Sequence, residues 1–178
     1  EELPPCQAAC PLDIPVREKL RLMQAGKMPE ALALLLRHCP FPGILGRICA
    51  APCEPACTRS RLEAPLAIAA LKRYVADLDP EAVFRARPGP EKAQRVAIVG
   101  GGPAGLMAAY ELRGQGYPVT IFEAEAALGG ALRLYIPPYR LPRQVLDREV
   151  GLVTHLGAEV RLNTRLGRES RLEDLRRA

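Results

Sequence analysis

Apolar positions follow two different rhythms along the chain, and the change falls between residues 79 and 94. Before it the spacing is helical. Pro15 can open a helix that runs to Ala25 and stops at Gly26, and Pro29 can open another that ends near His38, where Pro40 and Pro42 forbid continuation. Between Pro65 and Leu78, the residues Ile68, Leu71, Val75 and Leu78 recur on one helical face. After the change, short apolar runs alternate with helical stretches. Val96 to Val99 suits a strand buried on both faces, Tyr117 to Phe122 a second strand, and Ala158 to Leu162 a third. Pro142 to Leu156 suits a helix, with Leu146, Val150, Val153 and Leu156 apolar. The stretch from Asp79 to Gln94, with Pro80, Pro88, Gly89 and Pro90, reads as a linker. The pattern predicts an α + α/β chain: a helical domain over 1–78, a linker over 79–94, and the first part of a Rossmann-type domain with a parallel sheet over 95–178.

Between the first two strands lies a glycine-rich turn. Gly100 can make the tight bend, Gly102 lets backbone N–H groups approach a pyrophosphate, and Gly105 lets the following helix pack on the strand. The positive end of that helix would face the phosphates. Glu123 ends the second strand, where a carboxylate can accept from ribose hydroxyls. Strand, turn, helix, strand and acid all stand in order. Pro103 and Ala104, with the Gly129-Gly130 pair, tilt the expected dinucleotide towards FAD, and the stretch resembles the two-dinucleotide-binding-domain flavoproteins.

At 178 residues the chain can hold one ordinary core or two small modules, and the change of rhythm favours two. Its net charge of +5 comes mostly from scattered arginines, with five tyrosines, three phenylalanines and no tryptophan to stack bases. That argues against nucleic acid as a partner. No apolar run approaches a membrane span and no basic, apolar signal segment opens the chain, so the expectation is a soluble, cytoplasmic protein without membrane contact.

All six cysteines fall between Cys6 and Cys57, which marks the helical part as a separate module. Cys6 and Cys10 form C-x3-C followed by Pro11, and Cys49, Cys53 and Cys57 form C-x3-C-x3-C. Disulfides, zinc and an iron–sulfur cluster compete for them. Disulfides suit small secreted domains, and zinc ribbons prefer C-x2-C pairs with histidine, whereas only His38 and His155 occur here. Soft thiolates on loops beside prolines such as Pro11 and Pro52 favour the cluster.

The stretches CQAACPLDIPV, PFPGILGRICAAPCEPACTR and APLAIAALKRYVAD resemble the helical iron–sulfur domain of the glutamate synthase small subunit and the N-terminal part of dihydropyrimidine dehydrogenase. That family leads directly into an FAD fold, and the likeness runs from Cys6 to about Leu166. It implies two 4Fe-4S clusters, but a further C-x2-C upstream of Cys6 is absent, since counting back reaches Glu1. By the resemblance, Cys6 and Cys57 would share one cluster with the absent pair, and Cys10, Cys49 and Cys53 would hold the other. The fourth ligand of the latter is a Gln or Glu in the family, and Lys72 stands there. A protonated lysine has no lone pair to give. The expectation is one cluster on Cys10, Cys49 and Cys53, with Cys57 or Cys6 fourth, while Cys39 matches no ligand and suits a buried small hydrophobe.

After Gly130 the family signature GG-x-L…IP-x-YRLP is matched, with Tyr135 where glycine is common. It implies that Arg140 lies against the flavin and that the backbone at Leu166 meets FAD. The resemblance implies an electron-input unit: NAD(P)H reduces FAD, and electrons leave through the cluster to an acceptor subunit such as a glutamate synthase large-subunit-like protein. No acid–base residue of the protein is required. The family's NAD(P)H-binding domain is not within these residues, so the chain reads as a fragment. The rival expectations are a cofactor scaffold completed by another polypeptide, with no turnover alone, and a zinc-stabilised dinucleotide-binding protein.

Overall fold

Two units meet in sequence between Val83 and Phe84, and the computed structural model describes residues 3–168 and 171–177. The first unit is helical: α1 (Pro5–Ala8), α2 (Val16–Gln24), α3 (Met28–His38), α4 (Pro42–Ile48) and α5 (Ile68–Leu78). Proline sits in the first turn of α1, α3 and α4, where its missing N–H would be unbonded in any case. This explains a helix that the sequence reading missed. Pro40 and Pro42 do stop α3, but Pro42 also opens α4.

The apolar face of α5 is turned from the one expected. Ile68, Lys72, Val75 and Ala76 are buried, whereas Leu78 is 49% exposed. At roughly 100° per residue, Leu78 falls about 80° to one side of Ile68, and Lys72 and Ala76 fall to the other. The core therefore lies on the Lys72 side. Val75 packs with Ala31, Leu32 and Ala82, and Ile68 packs with Ile14, Val16, Leu35, Cys39, Ala51 and Cys53.

Helices α4 and α5 approach closely because Gly46 has no side chain, and a Cβ there would lie 2.8 Å from Arg73 Cα. Beside it the Arg47 guanidinium donates to both Asp77 carboxylate oxygens at 2.9 Å and to Gly43 O at 3.0 Å. The stretch 79–94 carries a 3-10 helix over Pro80–Arg85, with Ala82 and Val83 buried in the first unit. Further along, Gly89 N–H donates to Arg113 O, Lys92 N–H donates to Gly116 O, and the Lys92 ammonium lies 4.1 Å from the Tyr117 ring centre.

The second unit runs β1 (Val96–Val99), α6 (Pro103–Gly114), β2 (Val119–Phe122), α7 (Ala131–Leu134), α8 (Arg143–His155), β3 (Glu159–Arg161) and α9 (Leu172–Arg177). Its sheet is parallel in the order β1-β2-β3, with Val96 opposite Val119 and Thr120 opposite Glu159. Parallel pairing needs helical crossovers, and α6 and α8 are those. On α8, Leu146, Val150 and Val153 are buried as the periodicity predicts, and Leu156 just after it is buried too. The expectation for β1 fails: Val96 and Ile98 are half-buried towards α6, but Ala97 and Val99 are exposed on the other face. Continuous apolar character marked β1 as a strand without telling which faces are covered in this chain.

Gly46→Ala is expected to lower the stability of the helical unit by about 1–3 kcal/mol, because the added methyl must push two helix backbones apart. Denaturant unfolding followed by circular dichroism measures it. An unchanged midpoint would mean that α4 and α5 do not touch as described.

Candidate functional site

The cysteine loops are shaped by two residues in the left-handed backbone region. Asp13, at φ 49°, follows the turn in which its N–H donates to Cys10 O, and its carboxylate accepts from Gln7 Nε2 at 2.9 Å. Ala51, at φ 53° and nearly buried, turns the chain between Cys49 and Cys53, and its N–H points at Cys49 Sγ at 3.3 Å. A non-glycine residue held there costs of order 1 kcal/mol, which the surrounding packing must offset. Glu54 then ties the loop to α5, accepting from Ala69 N–H at 2.9 Å in the first helical turn. Ser60 Oγ donates to Cys57 O at 2.6 Å and holds the far end.

These turns sort the five expected ligands into two groups. Cys10, Cys49 and Cys53 line one small cavity together with Lys19 and Lys72. Cys6 and Cys57 line a second cavity of about 550 Å³, with Arg17 and Arg59 at its wall. The sixth, Cys39, is fully buried in the apolar core. All six are free thiols. Among the described residues no three metal-binding side chains converge on one point, so the thiols wall the cavity instead. The first cavity is small, about 30 Å³, and the three thiols stand at its wall.

Charge at that cavity is unusual. Lys19 is 1% exposed and Lys72 is 7% exposed. Burial first, and the neighbouring Lys72 second, push the Lys19 ammonium down to about 8, while Cys53, Cys10 and Cys6 oppose the shift. Burial first, and Cys10 second, push the Cys53 thiol up. Lys19 Nζ donates to Ile68 O at a long 3.4 Å. Among the described residues neither lysine is paired with a carboxylate. Sequence reasoning passed over Lys19, although a signal existed: it stands three residues after Val16, on the apolar face of α2. The donor chemistry of the cavity, three thiols and two ammonium groups, fits an anionic thiolate-ligated cluster.

In the second unit the glycine turn joins β1 to α6. Gly100 bends at φ 97°, and its N–H donates to Phe122 O at 2.8 Å. Gly105 is where α6 presses on that turn, since a Cβ there would lie 1.9 Å from Gly100 O. Gly102 caps α6, and Leu106 N–H is bonded to Gly102 O. With Pro103 lacking an N–H, the Ala104 and Gly105 N–H groups are left at the helix start. The Gly129-Gly130 loop folds over the turn: Gly129 N–H donates to Gly101 O at 2.8 Å, and a Cβ on Gly130 would reach 2.8 Å from Gly102 Cα. A Cβ on Gly102 would meet only Gly130 Cα, at an ordinary 3.8 Å, so the side-chain direction there is uncrowded. This is a cradle for a group that approaches backbone closely, which fits a dinucleotide pyrophosphate.

Glu123 is 7% exposed. One carboxylate oxygen accepts from Gly101 N–H at 2.7 Å, and the other accepts from Glu125 N–H at 2.8 Å. It therefore fixes the turn to β2, and each oxygen keeps a second lone pair. Arg140 is exposed on the loop after α7, and Leu166 is half-buried after β3. The arginine that organises the loop is Arg143, which donates to Arg133 O at 2.7 Å, Ile136 O at 3.2 Å and Leu132 O at 3.3 Å. A cation at the first residue of α8 opposes the helix dipole, and that misfit was the available signal of another task.

A helical cysteine module followed by a glycine-turn Rossmann unit defines a class, the iron–sulfur proteins that carry a nucleotide-binding fold on the same chain. Residues 2–83 match the family model for dihydropyrimidine dehydrogenase domain II, 4Fe-4S cluster, and residues 98–156 match that for the NAD(P)-binding Rossmann-like domain. Over nearly its whole length the chain is similar to glutamate synthase small chains and to dihydropyrimidine dehydrogenase subunits. It is 39% identical to the NADP(+)-dependent formate dehydrogenase subunit beta of Moorella thermoacetica, over 97% of this chain and 28% of that protein. It is 37% identical to the NADPH-Fe(3+) oxidoreductase subunit beta of Geobacter sulfurreducens, over 97% of this chain and 26% of the relative. With the glutamate synthase [NADPH] small chain of Mycobacterium tuberculosis it shares 37% identity over 98% of this chain and 36% of the relative. The chain thus spans between about a quarter and two-fifths of the length of these relatives and of the dihydropyrimidine dehydrogenase subunits that match it. Among the described residues no helix is long and apolar enough to cross a membrane.

Glu123→Gln is expected to destabilise the second unit by about 1–3 kcal/mol, because an amide NH2 would face one of two buried N–H donors. Hydrogen exchange at Gly101 and Glu125 N–H reports it. Unaltered protection at both would show that the carboxylate does not hold the turn.

Proposed function

We propose that this chain is the cluster-bearing and FAD-binding portion of an NAD(P)H-dependent oxidoreductase subunit that passes electrons to a partner. The observation that carries the reading is the cavity at which Cys10, Cys49 and Cys53 meet two buried lysines with no carboxylate, because only an anionic group balances that wall. Cys10, Cys49 and Cys53 would hold one 4Fe-4S cluster, with Cys57 or Cys6 in reserve as fourth ligand. FAD, when bound, accepts electrons in pairs and releases them singly, the conversion that joins a hydride donor to a one-electron carrier.

The residues of the second unit bind and orient. Gly102 leaves room for the pyrophosphate, and the Ala104 and Gly105 N–H groups at the start of α6 favour its charge. Glu123, locked by Gly101 and Glu125, offers its remaining lone pairs to ribose hydroxyls. Pro103 fixes the helix start and Gly130 keeps the covering loop close, while Arg140 would face the flavin and the backbone at Leu166 would close the site. Six free thiols suit a reducing compartment such as the cytoplasm. The relatives are named as subunits, which supports an acceptor subunit, of the kind that a glutamate synthase large-subunit-like protein provides.

Two substitutions separate the cofactors. Gly102→Val should remove flavin while leaving iron and helical content unchanged, and Cys53→Ser should remove most of the iron while leaving flavin. Retained flavin in the first variant, or full iron in the second, contradicts the assignments.

One glycine-rich turn occurs in the 178 residues, and FAD would occupy it. Holding nicotinamide against flavin is a positioning task that can lower a barrier by roughly 7–11 kcal/mol, and these residues offer no second fingerprint for it. The isolated chain should therefore show only slow, unsaturable reduction of bound flavin by NADPH in stopped flow. Saturation with NADPH would reveal a nicotinamide site within it.

A further inference from the structure

We propose that Lys19 and Lys72 are positioning residues for the cluster charge: their paired ammonium groups seat the anionic cluster at Cys10, Cys49 and Cys53 and raise its reduction potential. The proposal rests on the cluster reading given above, and adds two residues whose part in it is electrostatic.

Lysine normally escapes burial by extending its ammonium to water, and Lys19, at 1% exposure, does not. Lys72 sits on the buried face of α5 and lines the same cavity. Two like charges taken out of water beside each other are costly unless negative charge lies between them. The nearby acids are committed elsewhere. Asp77 on α5 is held by Arg47, and Glu54 on the cysteine loop accepts from Ala69 N–H outside the cavity wall, its charge acting on Cys53. Glu18 on α2 is exposed. The three thiols are then the groups of the cavity that can become anionic, and they do so by giving up protons to metal ligation.

Neither ammonium can ligate iron, having no lone pair while protonated. Its effect is through charge. Thiolate ligation makes the cluster anionic, and uptake of one electron, with no proton, adds one more negative charge. Fixed positive charge in a region of low dielectric favours the more negative state, so both lysines favour the reduced cluster.

The test uses the chain purified anaerobically with iron and sulfide supplied, titrated with dithionite and followed by electron paramagnetic resonance. Lys72→Met and Lys19→Met should keep their iron and titrate at a more negative midpoint than the unsubstituted chain, with the double variant lower still. Lys72→Arg and Lys19→Arg should stay close to the original midpoint. Met variants with full iron and an unmoved midpoint would overturn the inference alone. Should a Met variant come out without iron, a loaded Arg counterpart supports the charge requirement, and an equally empty one points to shape and overturns it. An unsubstituted chain that binds no iron would overturn the cluster reading itself, and this inference with it.

Discussion

Lys19, 1% exposed, lies beside Lys72, 7% exposed, at a cavity walled by three thiols, and like charge buried in pairs is costly unless negative charge lies close by. The rest of the unit brings these groups together. Helix α2 carries Lys19, α5 carries Lys72, and the loops that start at Cys10 and Cys49 bend through Asp13 and Ala51 at positive φ. Glu54 fastens the second loop to the first turn of α5. Gly46 and the Arg47–Asp77 pair seat α4 against α5, and so fix where Cys49 emerges. Packing thus creates an electrostatic imbalance that an anionic ligand relieves.

The second unit answers to a different constraint, the approach of backbone to backbone. Gly105 lies against Gly100, Gly130 lies against Gly102, and Glu123 holds the turn from below through Gly101 N–H. Side chains are excluded where the backbones touch, while the side-chain direction of Gly102 itself is uncrowded. That shape suits a phosphate group, as the charge in the helical unit suits an anionic ligand.

Much of this was legible in the residues. Prolines and glycines marked the ends of α2 and α3, because both act through the backbone and depend little on tertiary context. The glycine turn with Glu123 at the end of β2 was legible for the same reason. The division of the cysteines into a group of three and a group of two came from family resemblance, since spacing alone does not say which loops meet. Other features escaped. Helix α4 was hidden because Pro42 was read only as a stop, although proline starts helices equally well. Lys19 was hidden because a lysine is counted as a surface residue unless its neighbours on the helix face are weighed with it. The exposed face of β1 was hidden because Val96 to Val99 is apolar throughout, and such a run does not record which of its faces is covered.

The central claim is that the cavity of Cys10, Cys49 and Cys53 holds iron and sulfide as a cluster. X-ray absorption on the anaerobically purified chain addresses it without relying on activity. The account predicts an iron edge with an iron–sulfur shell and a second, iron–iron shell, both lost in Cys53→Ser. A zinc edge with a single metal–sulfur shell and no metal–metal scattering would contradict it.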